Sequence, residues 1–357
     1  MQIKLNRAFT HTLNSLPRGR LHTSTINNTC NIPWKHVTID LNGNVLLCEC
    51  DAWLPIPVGK VEDFDSLQSV FNSEAAKFLQ QNITDKKFTW CAVEHCGIVH
   101  RNITKTKFSM VLNLDESCNL SCPSCRRDQI MIDSGPEYDV KIHRLQIILS
   151  WLSKFEEPIY ITLSGNGDPL ASKIIRPLIQ SYQPKAQQSF NFKTNGLLMK
   201  KLLPDSPIQK FIRTYSISVD AATKEVYEKV RRPGKWDILI ENLDWLKQNK
   251  GSAWTVLDFV IQKDNLSDVE AFADLCQSYN FAGHYSALFD WGTWNSRPVL
   301  EPDAYTIQNG TFLDHDVADV AHPAHEEFVT IINRVRNKKV PLISFQPSFS
   351  KFFDATR

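Results

Sequence analysis

No run of about 18 apolar residues occurs in the 357-residue chain, so a membrane-spanning helix is not expected. The N-terminus also lacks a charged start followed by an apolar stretch, which argues against secretion. Excess charge of either sign is missing: 40 Lys and Arg stand against 39 Asp and Glu, for a formal net charge of +1. Nothing therefore draws a polyanion by bulk charge, and nucleic acid is not an expected partner. Residues 1 to 39 hold no Asp or Glu while carrying Lys4, Arg7, Arg18 and Arg20, a composition seen in transit peptides. The same segment has little helical apolar periodicity, and residues 1–29 read better as a solvated arm. Internal repeats and low-complexity stretches are absent. What remains is a cytoplasmic protein able to bury one large core, or a large one and a small one.

Cysteine is the conspicuous presence. The chain has nine, and eight of them precede residue 126. A disulfide framework belongs to small secreted domains, so metal ligation or catalysis is the better reading. In ESCNLSCPSCRRD, residues 116 to 128, Cys118, Cys122 and Cys125 lie close together and no fourth ligand follows. Structural zinc wants four protein ligands. A 4Fe-4S cluster held by three thiolates keeps one iron open for something exogenous, which turns the deficit into a function.

From residue 107 short β-branched or aromatic runs alternate with helical patterns. The runs are KFSMVLNL, IYITLS, SFNFKT, TYSISV, VLDFVIQ and HYSALFDW, the last at 284 to 291. Apolar residues recur at helical spacing in Ile142, Leu145, Ile148, Leu149 and Leu152, and in Trp236, Leu239, Ile240, Leu243 and Leu246. Ser267 with Glu270 reads as a capping box opening a third helix. Six strand-then-helix units predict an α/β fold, a partial (β/α)6 barrel of parallel strands, with chemistry on the loops after the strands. The three thiols sit on the first of those loops. Residues 30–100 read as a small α+β domain: a hairpin turning at Asn42-Gly43, an amphipathic helix over SLQSVFNSEAAKFLQQ, then Cys91 and Cys96. So little material gains from a metal staple. Near the C-terminus VPLISF is expected to cover an open barrel end.

CNLSCPSC after a first strand resembles the cluster motif of the radical S-adenosylmethionine (SAM) enzymes. The resemblance implies a 4Fe-4S cluster on Cys118, Cys122 and Cys125 whose open iron is chelated by SAM. It further implies reductive cleavage of SAM to a 5′-deoxyadenosyl radical, which takes a hydrogen atom from a substrate. SGNGDP is similar to the family's Gly-Gly-Glu element, placing Gly165, Gly167 and Asp168 at the SAM ammonium, with Asp where Glu is usual. KTNG, containing Thr194, matches a common family turn. SISVDAATKEVYEKVRR is similar to the ribose and carboxylate segment, implying Ser218 at the ribose and Arg231 at the carboxylate; Gln262 and Asn265 also occupy family-like positions. Ser124 departs from the pattern, because an aromatic residue usually precedes the third cysteine.

Cys30, Gly43 and Cys48, with the helix and cysteines that follow, resemble a SPASM/twitch auxiliary-cluster domain, here ahead of the barrel rather than after it. By that resemblance Cys30, Cys48, Cys91 and Cys96 ligate a second 4Fe-4S cluster, with Cys50 as an alternative to Cys48. Four thiolates at these spacings also suit a structural zinc. The expected organisation is an arm (1–29), the auxiliary domain (30–100), the radical SAM core (107–295) and a C-terminal extension (296–357). A low-potential donor such as flavodoxin or ferredoxin is the implied electron source. Only 29 residues precede Cys30, leaving little room for a leader-binding domain. That favours a sugar, alcohol or other small-molecule substrate, with a peptide- or protein-modifying maturase as the alternative. A non-catalytic iron-sulfur binding or electron-transfer protein is the reading of another class. Cys276 reads as a core thiol, His322 and His325 as capping or surface groups, and Arg126-Arg127 as a solvated pair or an anion contact. Asp290, Trp291 and Trp294 are expected at the substrate end of the last strand.

Overall fold

Asp40 closes the first turn of the protein with its own side chain. In the computed structural model, which describes residues 29–49, 54–93, 96, 104–164, 166–290 and 310–353, its Oδ1 accepts from Asn42 N (2.9 Å) and Asn44 N (2.8 Å). Gly43 follows at φ +75°, a left-handed conformation suited to glycine. A Cβ there would meet the Arg144 side chain at 2.5 Å, so close approach as well as turn geometry requires the glycine.

The chain forms two compact units. One comprises residues through Glu116 with Ile132–Asn191 and Asp205–Phe211; the other comprises Ser117–Met131, Phe192–Pro204 and residues from Ile212 onward.

In the first unit β1 (His36–Ile39) and β2 (Asn44–Leu46) form the hairpin, and β3 (Pro57–Lys60) adds antiparallel to β2. β1 also pairs in parallel with β4 (Phe108–Leu112), His36 opposite Ser109, and β4 pairs in parallel with β5 (Ile159–Leu163). All four residues of β1 are buried, as a strand covered on both faces requires. The expected single helix is two: α1 (Leu67–Asn72) ends and α2 (Glu74–Thr84) begins at Ser73, whose hydroxyl accepts from Ala76 N at 3.1 Å. α3 (Gly135–Lys154) buries Leu145, Ile148, Trp151 and Leu152. It also buries Lys141, whose Nζ donates to the carbonyls of Leu114 (3.0 Å) and Leu41 (3.3 Å). α4 is Arg176–Ser181.

His36 is buried with both ring nitrogens engaged, Nδ1 to Ser109 Oγ (2.7 Å) and Nε2 to Thr38 Oγ1 (2.9 Å). Burial, and then the Lys105 charge, push the imidazole down to about 3 from an ordinary 6.5. The folded state therefore resists a proton that the unfolded chain accepts. Stability from this group is complete above pH 6.5 and is lost as the pH falls toward 3, at about 1.4 kcal/mol per pH unit inside that window. Denaturant midpoints measured between pH 7 and 4 should show this slope, and His36→Gln should flatten it.

The division between units falls within β6 (Gln188–Thr194), and in the second unit β7 (Ile212–Ser218), β8 (Trp254–Ile261) and β9 (Ala282–Ala287) run parallel. With β10 (Ile343–Phe345) at the edge, the strand order is β10-β9-β8-β7-β6. α5 (Met199–Leu202) follows β6, α6 (Lys224–Val230) and α7 (Trp236–Asn249) both follow β7, α8 (Val269–Tyr279) follows β8, and α9 (His325–Asn337) lies toward the C-terminus. Alternation is regular: Leu257, Phe259 and Ile261 are buried while Val256, Asp258 and Val260 are half-buried. Cys276 lies in the core with Phe272, and burial pushes its thiol up to about 12.

Three local expectations are corrected. α8 starts at Val269, and the capping box belongs to the preceding short helical turn, with Gln262 and Asn265 as its partners rather than Ser267 and Glu270. Residues 343–345 pair in parallel with β9 as β10 instead of covering a barrel end. The last sequence run is strand only through Ala287, with Asp290 beyond it. Trp291, Trp294, Cys50 and Gly165 lie outside the described residues.

Candidate functional site

In the second unit the loop carrying Cys118, Cys122 and Cys125 is held by its own backbone. Cys118 N donates to Ile130 O (2.8 Å), Cys125 N and Arg126 N both donate to Cys122 O (2.9 and 3.0 Å), and Ser121 N donates to Arg232 O (2.7 Å). Cys122 is buried, Cys118 intermediate and Cys125 exposed. Burial pushes the Cys122 thiol up, and the Arg231 charge pulls the other way.

Arg231 anchors this loop from α6. Its guanidinium donates to Cys122 Sγ at 3.8 Å and to the Asp220 carboxylate at 2.6 Å. Asp220 is buried in a left-handed conformation, φ +57°; its Oδ1 accepts from Val260 N (2.7 Å) and its carbonyl from Asn265 Nδ2 (2.9 Å). Burial raises its carboxyl above the usual range against the opposing pull of Arg231. On the other side, Asn195 Nδ2 donates to Asn119 Oδ1 (2.8 Å) and lies 3.9 Å from Cys118 Sγ. Gly196 follows at φ +82°, where a Cβ would meet Ile217 Cγ2 at 2.9 Å. Thr194 Oγ1 accepts from Gly196 N (3.1 Å), so this hydroxyl shapes the turn.

Two residues expected at SAM carry buried donors without partners among the described residues, Arg231 Nε and Gln262 Nε2. The Gln262 side chain also caps the next turn through Asn265 N, leaving its amide nitrogen over. Ser218 ends β7 with Asp258 as its Cα partner on β8, and Asp258 in turn is paired with His284 on β9. The register puts Ser218, Asp258 and His284 in one row across three strands, and Ser216 Oγ donates to Asp258. Sequence reasoning missed Asp220, Asn195, Asp258 and His284. For the last two, the signal is a charged or ionisable residue at an alternate position of an apolar strand.

In the first unit Asp168 Oδ1 accepts from Leu170 N (2.9 Å) and Ala171 N (3.3 Å), so the acid caps the turn after its own motif, Gly167 included in that loop. Cys30, Cys91 and Cys96 pack around Phe88, Ile32, Ile83 and Val93. Burial pushes Cys91 up, and Cys48, Cys30 and Cys96 add to the rise, so the other three thiols all lie within electrostatic reach of Cys91. Cys30 is pushed up to about 11, again mainly by burial. Among the described residues no group of three or more His, Cys, Asp or Glu is arranged to hold a single metal ion. His322 Nε2 meets the Asp314 carbonyl and its Nδ1 accepts from Ala324 N, while His325 Nδ1 meets the Val317 carbonyl, local capping roles as expected.

An α/β protein of parallel strands, with three thiols on the loop after one strand and four more near the N-terminus, three of them packed around an apolar cluster, is built to hold iron-sulfur centres. Residues 112–276 match the radical SAM superfamily and residues 30–97 the iron-sulfur cluster-binding SPASM domain, so the chain carries a radical SAM domain together with a SPASM domain. It is similar to mycofactocin maturase MftC of Mycobacterium tuberculosis H37Rv, 25% identical over 169 residues, 46% of this chain and 41% of that protein. The same maturase from Mycobacterium ulcerans is 22% identical over 215 residues, 54% and 56% of the two chains. The chain thus spans about half the length of the curated relatives it matches. Among solved structures, Streptococcus suis SuiB bound to precursor peptide SuiA is 15% identical with a TM-score of 0.42, over 79% of this chain and 55% of that one.

The family makes a 4Fe-4S cluster and SAM the cofactors of the first domain and an auxiliary iron-sulfur cluster that of the second. The residues fit them. Burial that disfavours a free thiolate at Cys122 or Cys91 is relieved when iron takes the sulfur. Arg126 is held charged, against its own burial, by Cys125, Cys118 and Cys122, so cations already face the thiols. The unpaired Arg231 and Gln262 donors suit a polar ligand beside the cluster.

Proposed function

We propose that the protein is a radical SAM enzyme acting in a maturase-type reaction on a peptide or protein. With cluster and SAM bound, the site supplies a 5′-deoxyadenosyl radical for hydrogen-atom abstraction. Cys118, Cys122 and Cys125 hold the cluster. Arg231 donates to the Cys122 sulfur and keeps its Nε–H, which would serve the SAM carboxylate, while Gln262 would offer its amide and Ser218 its hydroxyl to the ribose. By the resemblance of their motif, Gly165, Gly167 and Asp168 would serve the SAM ammonium. The row Asp258–His284 is positioned to hold a polar substrate group. Cys30, Cys48, Cys91 and Cys96 hold the auxiliary cluster in a domain of residues 30–100, ahead of a core over 107–295. A low-potential flavodoxin or ferredoxin would supply the electron.

The observation that carries the reading is the three-thiol loop with Arg231 donating to its buried cysteine. The maturase relatives move the peptide or protein substrate ahead of the sugar or alcohol. Among the described residues no helix is long and apolar enough to cross a membrane. The test is anaerobic reconstitution with iron counting, then SAM cleavage in the presence of deuterated candidate peptides and sugars. About eight irons per chain and deuterium passing from a peptide into 5′-deoxyadenosine support the proposal. Label arriving only from a sugar overturns the substrate choice, and no cleavage from a fully loaded protein with any candidate favours a binding or electron-transfer role.

A further inference from the structure

Two of the auxiliary-centre cysteines are each followed by a polar residue that reaches the same lysine. Asn31, next to Cys30, clamps the Lys105 backbone: its Nδ2 donates to Lys105 O (2.7 Å) and its Oδ1 accepts from Lys105 N (2.8 Å). Glu49, next to Cys48, forms an ion pair with Lys105 Nζ. That ammonium also donates to Ser109 Oγ (2.6 Å). Ser109 meets His36, His36 meets Thr38, and the Thr38 hydroxyl donates to the carbonyl oxygen of Cys48 (2.9 Å). Lys105 thus touches the Cys30 segment through Asn31, and the Cys48 segment both through Glu49 and through this chain. The ion pair is partly withdrawn from water, with the Lys105 side chain 23% and the Glu49 side chain 36% exposed.

A centre that gains an electron gains negative charge. A cation beside it favours the reduced form, an anion favours the oxidised form, and partial burial preserves both effects against screening.

We propose that Lys105 is a positioning residue of the auxiliary centre, joining the Cys30 and Cys48 segments and, in opposition to Glu49, setting the reduction potential of the cluster. The proposal rests on the assignment of Cys30, Cys48, Cys91 and Cys96 as cluster ligands. Lys105 lies outside every cysteine segment, so only the fold connects it to them.

The test uses full-length protein carrying Cys118→Ala, Cys122→Ala and Cys125→Ala, in which only the auxiliary centre loads. After anaerobic reconstitution, iron and zinc are counted and the midpoint potential is read by EPR-monitored redox titration. Lys105→Met removes the cation and leaves Glu49 uncompensated, so the potential should fall by roughly a tenfold change in the reduction equilibrium, ~59 mV for a one-electron couple, with about four irons retained. Lys105→Arg should restore it, and Glu49→Gln should shift it the opposite way, upward. A purely structural latch predicts that Lys105→Met and Glu49→Gln, which break the same ion pair, behave alike, by losing iron or shifting together; that result overturns the proposal, as do unshifted potentials. If the background protein itself holds zinc and no reducible centre, the ligand assignment beneath the proposal fails, and the metal count reports that failure separately.

Discussion

Cys122→Ala should abolish SAM cleavage while the auxiliary centre stays loaded. Of the three loop thiols, Cys122 is the buried one, and both Cys125 N and Arg126 N close the loop onto its carbonyl. Removing its sulfur leaves two protein thiolates for a four-iron cubane and takes from Arg231 its sulfur acceptor. Iron should fall from about eight to about four per chain, and 5′-deoxyadenosine should drop below detection by mass spectrometry under strong reductant. Cys30, Cys91 and Cys96 pack around Phe88 in the first unit and have no part in this loop. Cleavage at the wild-type rate in this variant would remove the thiol loop from the chemistry.

Asp220→Asn should destabilise the protein by about 3–5 kcal/mol, the range expected when one partner of a buried ion pair is removed and the other charge is stranded. Both side chains qualify, at 3% exposure for Asp220 and 13% for Arg231, with 2.6 Å between them. Asn is a suitable probe because it tolerates the left-handed backbone at φ +57° and keeps an oxygen for Val260 N, so the loss isolates the charge. Chemical denaturation under anaerobic conditions reads the effect. Asp220→Asn combined with Arg231→Met, which leaves no stranded cation, should recover much of the stability. A single variant within about 1 kcal/mol of wild type would show that Arg231 finds other compensation.

The strands were legible in the sequence wherever alternation or a β-branched run marked them. Positions 256 to 261 alternate half-buried and buried along β8 as the pattern requires. The thiol loop was legible too, because three cysteines at close spacing carry their own chemistry. Ser73 was not: it lies inside an amphipathic period, and only its hydroxyl bond to Ala76 N reveals a boundary. Ser267 and Glu270 fit a capping box, but Gln262 and Asn265 form one first and set where the chain enters α8. The parallel pairing of β1 with β4 had no local signal, since its partners stand 73 residues apart at His36 and Ser109. Asp220 and Asn195 escaped for the same reason: each meets a cysteine, directly or through Arg231, only after strands distant in sequence have come together.

That same pairing has a consequence for biosynthesis. Cys30, Cys48, Cys91 and Cys96 leave the ribosome ahead of Cys118, Cys122 and Cys125, yet the strand beside Cys30 is finished by residues that emerge later. His36 waits for Ser109, and the hairpin turn at Leu41 waits for the ammonium of Lys141, 100 residues downstream. The auxiliary module, though translated ahead of the three-thiol loop, is therefore complete only after residues beyond that loop have emerged, and iron delivered to a nascent chain that stops short of Lys141 would meet four thiols without the full scaffold around them.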